Sequence, residues 1–251
     1  MRQAIINPFS LPGGPDLGPL AILASLEADC SHLASLLGFS EKHARFLVSS
    51  RLFADNQANK NYSLAGPVLG APHAVMVLEQ LIARGAREVV FLGWCGSISP
   101  DLRAGHILVP DRAFSDEGTS AHYLLEDQEN PDRVHHASQT LSRKLEAALA
   151  GAGLAFTRGS VWTTDALFRE TQEKVDHFSA QGAVAVEMEL SALFAVARFR
   201  AVEVCGLLVV SDEVFDGKWH SGIADKGFHD ARLKAAEALK ILCRNTKPHK
   251  G

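Results

Sequence analysis

The chain has no long hydrophobic run. Its stretch Val204–Val210 is seven residues, and a bilayer crossing needs about 20. The N-terminus, Met1-Arg2-Gln3 leading into Ile5-Ile6-Asn7-Pro8, offers nothing of signal-peptide length, so no membrane association is expected. An excess of positive charge is also missing. The 25 basic residues face 29 acidic ones, a formal net charge of −4. That excludes the basic stripe of a general nucleic-acid binder. Cysteine is scarce: Cys30, Cys95, Cys205 and Cys243 are widely spaced and form no C-x-x-C unit. This is the pattern of reduced thiols in a cytoplasmic protein. The adjacent His135 and His136 diverge on any helix or strand, and no metal site is expected. No internal repeat, low-complexity stretch or linker divides the 251 residues, so residues 1–251 are expected to form a single domain.

What is present is an ordinary globular composition, 47% apolar and 22% charged. A chain this long buries roughly three-quarters of its unfolded surface and needs no metal or disulfide to hold a core. Strand-like and helical segments alternate. Ala71–Ala83 has apolar residues at helical spacing and is followed by Gly85, a natural left-handed stop. Glu88–Leu92, Ile107–Val109, Ala183–Val186 and Val204–Val210 read as buried strands. His136–Ala150, Met188–Phe199 and a terminal segment from about Ala224 to Asn245 read as helices. Pro8–Pro19 and Phe53–Tyr62 read as surface loops. Apolar strands separated by helices indicate a sheet covered on both faces. The expected fold is one three-layer α/β/α domain with a parallel or mixed sheet.

In such sheets ligands bind beyond the carboxyl ends of the strands, so the residues there carry the functional signal. Gly93-Trp94-Cys95-Gly96-Ser97 follows the strand at 88–92; its glycines let a ligand approach backbone amides, or simply turn the chain. Cys95 reads as a small core residue. Asp116–Tyr123 is dense in polar groups and is either part of a site or a self-capped turn; within it, His122 is expected to make a structural hydrogen bond. Val186-Glu187-Met188-Glu189 places two carboxylates, one residue apart, between a buried strand and an apolar helix. Carboxylates there need partners. Ser211-Asp212-Glu213 ends the strand Val204–Val210, where a carboxyl suits a general acid. The polar segment Val214–Gly227, with Trp219 and His220, is a candidate flap.

Taken together, Gly70-Ala71-Pro72, Gly93–Ser97, Asp101-Leu102-Arg103-Ala104-Gly105, Asp116–Tyr123, Val186–Glu189 and Ser211-Asp212 resemble, in order and spacing, the nucleoside phosphorylase family. That family includes hexameric bacterial purine nucleoside phosphorylase, uridine phosphorylase and the methylthioadenosine/S-adenosylhomocysteine nucleosidases. The resemblance implies an α/β sandwich around a mixed, barrel-like sheet and cleavage of the N-glycosidic bond of a nucleoside, without metal or cofactor. It implies ribose binding by Glu187, Met188 and Glu189, with Glu189 on the 2′- and 3′-hydroxyls and Met188 under the sugar. Glu189 beside an oxocarbenium-like transition state stabilises positive charge. The resemblance makes Asp212 the catalytic acid on the base side, which leans towards a purine, and sets Leu167 and Phe168 against the base. It also implies a homo-oligomer, a dimer or hexamer.

The chain departs from the family at the nucleophile end, around Gly93, Trp94 and Ser97. Relatives that use phosphate carry a Gly-Asp-Pro turn with a nearby arginine, which Pro8–Pro15 lacks. They carry an arginine where this chain has Phe91, and Ser or Thr where it has Trp94. A phosphate dianion needs cationic or amide donors. Either other arginines rebuild an anion site, with inorganic phosphate as co-substrate, or water replaces phosphate; Arg51 lies in the stretch where relatives supply an arginine to a neighbouring subunit, and Arg169 sits near the expected base pocket. Family majority favours phosphorolysis; hydrolysis and a non-catalytic nucleoside-binding module are the alternatives.

Overall fold

The structure is a computed structural model that describes residues 4–9, 17–54, 60–124 and 133–246. The strands are β1 (Leu20–Ala24), β2 (Arg45–Leu47), β3 (Ser50–Phe53), β4 (Tyr62–Gly66), β5 (Glu88–Ser97), β6 (Ile107–Asp116), β7 (Val134–His136), β8 (Thr157–Thr164), β9 (Ala183–Glu187), β10 (Glu203–Glu213) and β11 (His220–Ser221). The helices are α1 (Glu27–Leu36), α2 (Gly70–Ala83), α3 (Gln139–Gly151), α4 (Gln172–Ala180), α5 (Leu190–Arg200) and α6 (Lys226–Asn245).

One mixed sheet organises them. β5, β10, β6, β8 and β9 pair in a closed ring, and β1, β4, β3 and β2 extend it from β5. The pairings β5–β1 and β5–β10 are parallel, and β5–β9 is antiparallel. Helices α2 and α5 pack on one face, and α1, α3 and α6 on the other. This is the α/β/α arrangement around a barrel-like sheet that the alternation of segments indicates. Among the described residues no helix is long and apolar enough to cross a membrane.

Three local departures have physical reasons. The strand that starts at Ile107 does not end at Pro110: β6 continues to Asp116, and its register with β8 shifts between Pro110 and Arg112. A proline inside a strand is tolerated at such an irregularity. His136 does not open a helix. His135 and His136 pair with Ala113 and Arg112 of β6, so the first is buried and the second exposed. The helix starts later, where the Ser138 hydroxyl accepts the Leu141 N–H at 3.1 Å. Phe53 and Tyr62 are strand ends rather than loop residues; residues 55–59 between them, and 10–16 of the first expected loop, lie outside the described residues.

Helix α5 fixes the site. Its residues Leu190 to Ala197 are all buried, as expected for a helix apolar on every side. It is tied to α2 through Arg200, which donates Nε and Nη2 to the Glu79 carboxylate at 2.8–3.0 Å. Two residues, Met188 and Glu189, separate its N-terminus from the end of β9.

Candidate active site

The carboxyl ends of β1, β5, β9 and β10 open into one cleft of about 610 Å³, a volume suited to a small organic ligand. Ser25, Trp94, Gly96, Glu187, Met188, Glu189, Asp212, Glu170, Phe168 and Trp219 are among the residues that line it.

The Val-Glu-Met-Glu segment gives its two carboxylates different tasks. Glu187 points back over the start of α5. Its Oε2 accepts the backbone N–H of Glu189 at 2.7 Å and of Leu190 at 2.8 Å, and its Oε1 accepts the Thr163 hydroxyl. It is therefore the cap of α5, where a negative charge also suits the helix dipole. Glu189 reaches across to α2, accepting the Gly70 N–H at 2.6 Å. Both carboxyls are buried, which pushes both above the usual carboxylate range; the charge of Glu189 adds to this for Glu187, and the donors on each oppose it. Met188 lies between them, half-buried, on the cleft wall.

At the far end, Asp212 Oδ1 accepts the Ser211 hydroxyl at 2.5 Å, and Oδ2 accepts the Trp219 indole N–H at 3.0 Å. Gly96 lets this carboxylate lie against the backbone of β5: a Cβ built there would stand 3.2 Å from Oδ2. Leu167, 51% exposed, Phe168, 94% exposed, and Trp219, 66% exposed, form an apolar rim. Glu170, just past the short turn Leu167–Arg169, also lines the cleft; burial and the charge of Asp212 push its carboxyl up to about 7. Nothing in the sequence pattern marks Glu170 beyond its place two residues after Phe168. Ser25, at the end of β1, is likewise unmarked; its hydroxyl is buried without a hydrogen-bond partner among the described residues.

Around Trp94 the side chains are engaged with one another. Trp94 donates its indole N–H to Asp29 Oδ2 at 2.7 Å, and Asp29 Oδ1 accepts Arg232 Nε at 3.0 Å and Nη2 at 2.7 Å. The Arg232 guanidinium lies 4.8 Å over the Trp94 ring. Four expected participants stand elsewhere. Arg51 does not reach the cleft: it is paired with Glu27 and with Glu41, the latter at 2.7 Å. Arg169 is exposed and does not line it. Ser97 is fully buried and donates to the Ser99 carbonyl at 2.8 Å. Gly93 is covered by the ring of Phe91, whose Cε1 would stand 2.5 Å from a Cβ there. Phe91 itself is core. Among the described residues no lysine, arginine or histidine lines the cleft.

The Asp116–Tyr123 segment is structural. Buried Glu117 accepts the N–H groups of Thr119 and Ser120 and the hydroxyls of Ser115 and Ser191. Despite its burial these donors hold the carboxyl below its usual range. His122 is exposed and makes no side-chain hydrogen bond among the described residues. Cys95 is a buried thiol pushed well up by burial and the charges of Asp212 and Glu187, a core residue and no nucleophile. Among the described residues no group of His, Cys, Asp and Glu is placed to hold a metal ion.

Known proteins share this architecture. The crystal structure of purine nucleoside phosphorylase from Toxoplasma gondii with immucillin-H superposes with a TM-score of 0.77 at 20% identity, covering 92% of each chain. The 5′-methylthioadenosine/S-adenosylhomocysteine nucleosidase of Helicobacter pylori superposes at 0.72 and 20% identity, covering 92% of this chain and 99% of that one. In sequence, a DeoD-type purine nucleoside phosphorylase of Bacillus cytotoxicus is 28% identical over 167 residues, 66% of this chain and 69% of the relative. The family model described as the phosphorylase superfamily matches residues 19–246. With that match spanning nearly the whole ring of strands and its helices, the chain belongs to the phosphorylase superfamily, the family of nucleoside phosphorylases and nucleosidases.

Proposed function

We propose that the chain cleaves the N-glycosidic bond of a nucleoside, with a purine as the leaving base and water as the nucleophile. Glu189 accepts hydrogen bonds from the ribose hydroxyls, Met188 packs under the sugar, and the negative charge of Glu189 stabilises the oxocarbenium-like transition state. Glu187 acts by holding Glu189 and the start of α5 in place. The base lies between Phe168 and Trp219, with Asp212 at its edge.

The choice of water over phosphate rests on one observation: the donors that a dianion needs are engaged elsewhere or absent. Trp94 gives its only N–H to Asp29, Arg232 is neutralised by the same Asp29, and Arg51 by Glu27 and Glu41. A phosphate placed there would be buried without compensation. A neutral water carries no such penalty. Phosphorolysis is the second reading; it is favoured by the sequence similarity to the DeoD-type enzyme.

The test is base release from purine and pyrimidine nucleosides with and without inorganic phosphate, with the sugar product identified. Free ribose formed at the same rate in both conditions supports hydrolysis. Ribose 1-phosphate formed only with phosphate establishes the second reading. No release from any nucleoside leaves a binding module. The same proposal includes a homo-oligomer, because the rim residues Leu69, Leu167, Phe168 and Trp219 expose apolar surface that a second copy would cover; sedimentation equilibrium tests it.

A further inference from the structure

A second concavity, of about 460 Å³, lies between α3 and the strands β6, β7 and β8. No described residue lines both it and the cleft. Its floor is the irregular part of β6, where the register with β8 shifts between Pro110 and Arg112; such an irregularity re-aims side chains. Arg112 is paired across the sheet with His136 of β7 on one side and with Ser160 of β8 on the other. The wall is Gln139, Ser142, Arg143 and Glu146, three and four residues apart and so on one face of α3. Leu141, Leu145 and Leu149 take another face of that helix into the core. Arg158, near the start of β8, completes the groove.

The groove holds three guanidiniums, Arg112, Arg143 and Arg158, against two carboxylates, Asp111 and Glu146, with His136 beside them. That is an excess of positive charge on a chain of net charge −4. It is the reverse of the cleft, where carboxyls stand without a cation among the described residues. The three arginines are unequally engaged. Arg158 is paired with Glu146. Arg112 is half-buried, gives Nε to the Ser160 hydroxyl at 2.8 Å and stands 5.3 Å over the Phe114 ring. No carboxylate pairs with it among the described residues; the neighbouring Asp111 accepts the Ser160 hydroxyl at 3.1 Å instead. Arg143 is exposed and makes no hydrogen bond or ion pair among the described residues.

We propose that this groove is a binding site for a phosphate group, free or carried by a small molecule. A half-buried guanidinium without a counter-ion has lost part of its hydration, and an oxyanion restores the balance. The guanidinium fork matches phosphate oxygens with paired N–H donors. A tetrahedral phosphate can take such donors from the β6 floor and from the α3 wall at once. The lining includes Gln139, the first residue of α3, where the helix dipole adds to the attraction for an anion. The volume leaves room for the rest of a small organic phosphate.

The experiment is calorimetric titration of the full chain with inorganic phosphate, glycerol 3-phosphate and glycerol. A phosphate is expected to bind at one site per chain, more weakly as sodium chloride is added, and glycerol is expected not to bind. Arg112→Gln and Arg143→Gln are each expected to weaken phosphate binding by about tenfold or more. Glu146→Gln removes a carboxylate and frees Arg158, and is expected to tighten it. Arg143 bonds no described residue, so its replacement leaves the fold intact even if that of Arg112 does not. Glycerol 3-phosphate bound more tightly than inorganic phosphate supports the proposal with an organic phosphate as the ligand; the opposite order supports it with the free ion. No saturable binding at millimolar phosphate overturns the proposal. Binding that Arg143→Gln leaves unchanged also overturns it, because the phosphate would then lie outside this groove.

Discussion

The Asp29–Arg232 pair makes a quantitative prediction. The two side chains are 6% and 13% exposed, and they join α1 to α6 behind Trp94. Replacing Asp29 by Ala strands the guanidinium between the rings of Trp94 and Phe228, 4.8 and 5.7 Å away, and leaves the indole N–H without its acceptor. Removing one partner of a buried pair costs about 3–5 kcal/mol. A Coulomb attraction of about 4 kcal/mol for close charges at an effective dielectric of about 20 is of the same size. For a chain of this length that lowers Tm by roughly 6–20 °C. Arg232→Met leaves Asp29 buried with Trp94 as its only remaining donor, and a similar cost is expected. The double variant Asp29→Leu with Arg232→Met removes both charges and fills the space with carbon. It is expected within about 1 kcal/mol of the parent, or above it, because desolvating both ions offsets most of their attraction. Urea unfolding of the parent, Asp29→Leu, Arg232→Met and their double variant measures the cycle, with Asp29→Ala beside them. An Asp29→Ala protein within about 1 kcal/mol of the parent, or a double variant whose loss equals the sum of the singles, refutes the coupling.

Two further predictions concern the cleft. Gly96→Ala sets a methyl group 3.2 Å from Asp212 Oδ2 and 3.3 Å from Val186 Cγ1; kcat/KM should fall at least about tenfold, since small misplacements at a reacting centre are costly, while Tm moves little, and unchanged kinetics would refute the tight approach. Glu187 and Glu189 should separate in stability: Glu187→Ala leaves the Glu189 and Leu190 N–H groups and the Thr163 hydroxyl without their acceptor and should cost at least about 2 kcal/mol, whereas Glu189→Gln keeps a carbonyl for Gly70, removes a buried charge, and should melt at or above the parent temperature while losing catalysis. Equal destabilisation by the two would contradict the different tasks drawn from their hydrogen bonds.

Much of this architecture can be read from local pattern. The runs at Glu88–Leu92, Ala183–Val186 and Val204–Val210 are apolar because both faces of the sheet are covered, but the glycines and carboxylates after the first and last do not end them: β5 continues to Ser97 and β10 to Glu213. The first third of the chain is less legible. β2 and β3 are short and partly polar, and α1 is only weakly amphipathic, so their structure comes from pairing with β4 and packing on the sheet. β8 begins with Thr157 and Arg158, both exposed, and gives no apolar signal at its start. At the cleft, Glu187, Met188, Glu189 and Asp212 are marked by their places after buried strands. Arg51 is not legible as a paired residue, because Glu27 and Glu41 meet it only through the fold. Trp219 is visible in sequence as part of a flap, but its bond to Asp212 depends on the antiparallel pairing of β10 with β11. Glu170 follows a short turn and reaches the cleft only through the fold.

The cleft joins two kinds of ground. The side that holds Glu187 and Glu189 is built on the start of α5, a helix without an exposed side in its first eight residues, and a change there propagates through the core. Its other side is a rim of side chains exposed in the single chain, where substitutions usually shift the stability of that chain by no more than about 0.5 kcal/mol. Within one chain, substitutions at Leu167, Phe168, Trp219 and Ile223 are therefore compatible with folding, whereas Glu187 and Glu189 have almost no such latitude.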